Sequence, residues 1–164
     1  MKEKYKHLLN FVANVLTLAF ETACFGWVWY MCYVPQMSKA DVFFRRGNWA
    51  VIGFYALIVF FFTRMFGGYR IGYMRVADII LSQILAVILA DVVAYFEICL
   101  ITNDYMTPKP VILMSLVEIA FIVPWVILVR KGYQRLYPPR QMLVIYGNYS
   151  PDDLIEKINT RKDK

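Results

Sequence analysis

Residues 8–33, 49–64, 76–101 and 111–130 are four predominantly apolar runs, and a helix that crosses a bilayer needs about 20 such residues. In hydrocarbon every backbone N–H and C=O must be bonded inside the span, so runs of this kind fold as helices. The expected fold is an all-α membrane protein, a four-transmembrane-helix bundle over residues 1–137. Composition agrees: 60% of the chain is hydrophobic, against about 45–50% in soluble domains. The first run follows a basic segment with Lys2, Lys4 and Lys6. It is much longer than a signal-peptide core, so it reads as a retained first span.

The net charge of +6 is distributed as a multi-pass protein distributes it. Lys2, Lys4, Lys6, Arg64, Arg70, Arg75, Arg130, Lys131, Arg135 and Arg140 fall on one side of the four spans, and Lys39, Arg45, Arg46 and Lys109 on the other. Lysines and arginines accumulate on the cytoplasmic side, so both termini are expected in the cytoplasm. Positive charge used in this way argues for loops at a bilayer and against nucleic-acid binding.

The first span carries a polar stripe. Asn10, Asn14, Thr17, Glu21 and Cys24 fall within an arc of roughly 80° at 100° per residue. Lipid offers these groups no partner, so the stripe is expected to face other helices. Trp27, Trp29, Tyr30 and Tyr33 near the end of the span read as an aromatic belt. Asp91 and Glu118 lie well inside the third and fourth spans, Glu97 nearer an edge. An intramembrane charge costs about 2.5–3.5 kcal/mol on insertion scales. Glu21, Asp91 and Glu118 therefore have two readings: a proton or cation relay, or carboxyls hydrogen-bonded to neighbouring helices that fix the packing. Ser82, Ala86, Ala90 and Ala94 repeat every four residues in the third span, flanked by Gln83 and Asp91, a pattern that lets helices approach closely.

The segment Phe66-Gly67-Gly68-Tyr69-Arg70-Ile71-Gly72-Tyr73 is not placed between a strand and a helix, so a phosphate-cradling reading fails on context. It reads as a tight cytoplasmic turn, with Arg64, Arg70 and Arg75 at the headgroups. Cys24, Cys32 and Cys99 show no CxxC spacing and read as free thiols. His7 is the lone histidine. A Ser-His or Cys-His pair and a zinc site both lack the residues they need, and neither catalytic nor metal-binding residues are expected.

Beyond Pro138-Pro139 the pattern changes. Met142 to Tyr146 is a short apolar run, Gly147-Asn148 a turn signal, and Ser150-Pro151-Asp152-Asp153 a helix start ahead of Leu154, Ile155 and Ile158. Residues 138–164 are thus expected to be the first strand and helix of an incomplete α/β unit, cut off from the spans by the two prolines. One such unit buries too little apolar surface to fold alone, which suggests a fragment.

Four spans, the turn residues Phe66, Gly67, Tyr69, Arg70 and Asp78, a basic exit from the fourth span, and the strand residues Arg140, Leu143, Val144, Ile145 and Gly147 occur in this order. The chain so resembles the N-terminal half of the large bacterial polyprenyl-phosphate glycosyl-1-phosphate transferases, which initiate capsule, O-antigen or exopolysaccharide synthesis. The resemblance spans nearly the whole chain. It implies a four-helix membrane region in the bacterial inner membrane, then a Rossmann-like α/β domain, then a catalytic domain that this chain lacks. It also implies undecaprenyl phosphate as lipid partner, a UDP-sugar donor, magnesium in the parent enzyme though no cofactor in this chain, and self-association. Asn148-Tyr149-Ser150 departs from the glycine-rich turn common in the family, and no catalytic residue can be carried over.

Three functions are compatible with these residues. The first is the membrane-anchoring module of a sugar-1-phosphate transferase. The second is a small four-helix transporter, or a flippase subunit for lipid-linked sugars, using Glu21, Asp91 and Glu118. The third is a scaffold whose tail pairs with a partner's sheet.

Overall fold

The computed structural model describes residues 2–37, 47–69 and 75–136. Within them it is helical, with four long helices. α1 (Lys2–Val28) continues through a π-helical turn at Trp29–Tyr33 and a 3-10 turn at Val34–Gln36. α2 is Gly47–Met65, α3 is Val76–Thr102 and α4 is Lys109–Leu136. The described residues contain no strand. The strand expected at residues 142–146, the helix after it, the Pro138-Pro139 break and the domain boundary at 137/138 all lie outside them.

The helix ends follow local chemistry. Pro110 sits in the first turn of α4, where the helix demands no N–H. α3 stops at Asn103, which takes the left-handed conformation at φ 51° that Asn tolerates better than most residues. α2 closes with a Schellman motif: Gly68 N donates to Thr63 O at 2.9 Å and Gly67 N to Arg64 O at 3.2 Å. Gly67 supplies the positive φ of 76° that this motif requires.

Each helix packs on its two neighbours around a ring: α1 on α2 and α4, α3 on α2 and α4. Long-range hydrogen bonds show the alternating directions. Asn10 near the start of α1 meets Tyr69 after the end of α2. At the opposite end, Trp29 Nε1 donates to Asn48 Oδ1 at 3.2 Å and Tyr33 Oη to the Thr107 carbonyl at 3.0 Å. All four helices are long and apolar enough to cross a membrane. Their outward faces carry Phe11, Leu57, Phe61, Leu81, Leu100, Leu113 and Leu128, all exposed. Helices apolar on every side fit a lipid surround rather than water, and the chain is a multi-pass membrane protein.

Two apolar clusters fill the interior. One is built on Phe25, Trp29, Tyr55, Val59, Ala94 and Ile98, the other on Ala13, Ile79, Val87, Ile122 and Val126. Ala86, Ala90 and Ala94 are fully buried, so α3 meets its neighbours along its small-residue side. The aromatic belt of α1 is only half realised. Trp27 and Tyr30 are exposed, but Trp29 and Tyr33 are core residues. Trp29 continues the buried row of Glu21 and Phe25 at four-residue spacing; the π-helical turn that begins there carries Tyr33 onto the same side, and the polar atoms of both rings find the partners named above.

Candidate functional site

The polar residues lie between and beyond the two apolar clusters, in two groups. The deeper group gathers a carboxyl from each of three helices. Glu21 on α1 and Asp91 on α3 are 2% exposed, and Glu118 on α4 is 0% exposed. α2 contributes Tyr55, also fully buried. The Tyr55 hydroxyl donates to Asp91 Oδ1 at 2.9 Å and lies 3.4 Å from Glu118 Oε1. The Phe25 ring stacks on the Tyr55 ring with centroids 4.2 Å apart and fixes its direction. Ser115, one turn before Glu118 on α4, sits with its Oγ against Asp91 Oδ2 and 3.1 Å from the Val111 carbonyl.

Tyr55 Oη has one hydrogen, which it gives to Asp91, so its second contact, to Glu118 Oε1, is a hydrogen bond in which Glu118 supplies the proton. No Lys or Arg is buried among the described residues to neutralise the three acids. Glu118 Oε2 is buried with no hydrogen-bond partner among the described residues. Every member of this group is thus a proton donor, a proton acceptor or both. The group can share and relay protons, but it lacks a base–nucleophile pair for group transfer. Among the described residues no three His, Cys, Asp or Glu side chains gather as a metal site would require.

The second group clamps the turn after α2. Asn10 Nδ2 and Asn14 Nδ2 both donate to the Tyr69 carbonyl, at 2.9 and 3.1 Å. Gln83 Nε2 on α3 donates to the Gly68 carbonyl at 3.1 Å. The turn is therefore drawn into the bundle. Gly68 is buried, and a Cβ there would stand 2.9 Å from Gln83 Cγ and 3.0 Å from Thr63 Cγ2. Burial pushes the Tyr69 phenol up to about 12. Between the two groups, Thr17 Oγ1 donates to the Ala13 carbonyl at 3.0 Å and accepts from Trp125 Nε1 at 2.9 Å, tying α4 to α1.

Of the residues singled out in the sequence, Glu21, Asp91 and Glu118 thus come together, Asn14 belongs to the turn clamp, and Thr17 lies between. Arg64 and Arg75 are exposed at the end of α2 and the start of α3, with Asp78 exposed in the first turn of α3. Arg70 and residues 140–164 lie outside the described part. Sequence reasoning passed over Tyr55, because the second span reads as apolar all round. The available signal was its depth: membrane tyrosines concentrate at the interfaces, so one at mid-span calls for a buried acceptor.

Fold and site together define a four-helix membrane bundle with an acidic, hydrogen-bonded centre and a clamped glycine turn at one end. Comparison of the chain with protein families, with curated proteins and with solved structures returns no match.

Proposed function

We propose that this chain is the membrane-embedding module of a sugar-1-phosphate transferase that acts on undecaprenyl phosphate in polysaccharide biosynthesis, with the catalytic residues outside residues 1–164. In this reading both termini face the cytoplasm across the bacterial inner membrane. Residues 138–164 open a Rossmann-like α/β unit, and magnesium serves the parent enzyme alone. The bundle holds that unit at the membrane face and supplies a surface for self-association.

The observation that carries the reading is the clamp on the Gly67-Gly68-Tyr69 turn. This turn contains part of the motif that resembles the transferases, and side chains from α1 and α3 hold it in one conformation. It lies at the end of the bundle from which α4 leaves with Arg130, Lys131 and Arg135. A rigid end at the exit point suits a module that orients a following domain. The genomic frame downstream of codon 164 tests the reading. It should complete an α/β domain and then encode a catalytic domain rich in acidic and basic residues; a stop codon directly after Lys164 contradicts it.

A second reading rests on a different observation, the convergence of Glu21, Asp91 and Glu118. Asp91 and Glu118, bridged by Tyr55, with Glu21 also buried in the bundle, suit a transporter or flippase subunit that moves protons or cations. Proton flux into proteoliposomes, followed with a pH-sensitive dye, decides it: Glu21→Gln must abolish the flux, and an unchanged flux rules the relay out.

A further inference from the structure

On the outer face of α4 a groove of about 850 Å³ runs along Pro124, Ile127, Leu128, Lys131, Gly132 and Arg135. This face points away from the bundle, since Ile122, Val126 and Val129 occupy the buried side of the same helix. The groove is chemically divided along its length. Its first part is apolar, and Lys131 and Arg135, four residues apart and therefore on one side of the helix, form its last part. At about 1.5 Å per residue the distance from Pro124 to Arg135 is roughly 16 Å, close to half of a hydrocarbon core about 30 Å thick. The apolar part, Pro124 to Leu128, takes up about 6 Å of that length, and an apolar floor leading to two cations has the polarity of an anionic phospholipid at its headgroup end.

We propose that this groove binds an anionic phospholipid of the surrounding leaflet. The acyl chain lies along Pro124, Ile127 and Leu128, and the phosphate sits between Lys131 Nζ and the Arg135 guanidinium. The C-terminal end of α4 carries about half a negative charge that opposes an anion; the two full positive charges outweigh it. A soluble anion would leave the apolar floor unused, and a zwitterionic lipid brings no net charge to the cations. A helix from a second copy would set apolar surface against Lys131 and Arg135.

Gly132 offers a direct test, because a Cβ there meets nothing within 4 Å. Gly132→Leu sets a side chain into the groove from a position open at Cβ and improves helix propensity. Gly53→Leu is the control, since Gly53 is equally open, on α2 and outside the groove. The protein is extracted from membranes in mild detergent, and bound lipids are counted by native mass spectrometry with added phosphatidylglycerol or phosphatidylethanolamine. The wild type and Gly53→Leu should each retain phosphatidylglycerol in preference to phosphatidylethanolamine. Gly132→Leu should lose that preference, and the double variant Lys131→Gln/Arg135→Gln should weaken it by roughly thirtyfold, the loss expected for two cationic contacts to anionic lipid. Four results overturn the proposal: no lipid on the wild type, retention that survives Gly132→Leu, equal loss in Gly53→Leu, or a polyprenyl phosphate displacing the phospholipid from the groove.

Discussion

Tyr55 on α2 donates its phenolic hydrogen to Asp91 on α3 at 2.9 Å, at a depth where neither side chain is exposed. The pair joins neighbouring helices, and the Tyr55 oxygen also reaches toward Glu118 on α4. Tyr55→Phe removes this donor and keeps the ring that stacks on Phe25. Interhelical hydrogen bonds in membranes are worth about 0.6 kcal/mol on average and up to about 1.7. A buried acidic acceptor puts this one at the upper end, about 1–2 kcal/mol. Thermal unfolding in detergent should show the variant clearly less stable than the wild type; an unchanged midpoint contradicts the assignment.

The position of the Tyr55 hydroxyl between Asp91 and Glu118 predicts a spectroscopic signature, because its one hydrogen leaves Glu118 to supply the other. A protonated, hydrogen-bonded carboxyl has an infrared carbonyl stretch separate from the carboxylate bands. The wild-type bundle should show this stretch, and Asp91→Asn/Glu118→Gln should remove it while conserving shape and hydrogen bonding. If the double variant gives the wild-type carbonyl spectrum, Glu118 does not carry the proton.

The two glycines after α2 should respond to alanine for different reasons. At Gly67 the penalty is conformational, about 1–2 kcal/mol for a side chain at the left-handed φ of 76°. At Gly68 it is steric. The new methyl meets Gln83 Cγ, which cannot retreat without breaking the Gln83 bond to the Gly68 carbonyl, and overpacking of this kind costs about 1–3 kcal/mol. Gly53→Ala on the open face of α2 should instead be neutral or stabilising. Equal effects at all three positions, read as unfolding midpoints, contradict the clamp.

What could be read in the sequence divides along a physical line. The four spans were legible because each residue's preference for lipid adds along a run, whatever the run later packs against. The stripe from Asn10 to Glu21 was legible because helical periodicity is local. Tyr55, by contrast, meets partners 36 and 63 residues away, and no short-range pattern announces a contact of that kind. Trp29 and Tyr33 look like interfacial anchors; Trp29 instead extends the buried row of Glu21 and Phe25, and a π-helical turn, which hydropathy does not signal, carries Tyr33 into the core. The turn at Phe66 reads as a surface loop until the amides of Asn10, Asn14 and Gln83 are seen to hold it.

Replacing Gln83 links the clamp to the rest of the bundle. Gln83→Leu leaves the Gly68 carbonyl buried without its donor, a loss of about 1–3 kcal/mol, while Gln83→Glu keeps the length and removes the N–H. Both should speed proteolysis at the turn after α2 relative to the wild type. Cleavage there at the wild-type rate in both variants means that the Gln83 bond does not hold the turn.

Sugar-phosphate transfer in membranes is the most direct test of the proposed role. Membranes from cells expressing the complete reading frame are incubated with labelled UDP-sugars, magnesium and undecaprenyl phosphate. The account predicts labelled sugar in the lipid extract as the undecaprenyl diphosphate conjugate, with one UMP released for each sugar transferred, above the level of membranes lacking the protein. No lipid-linked label and no UMP with any donor contradicts it.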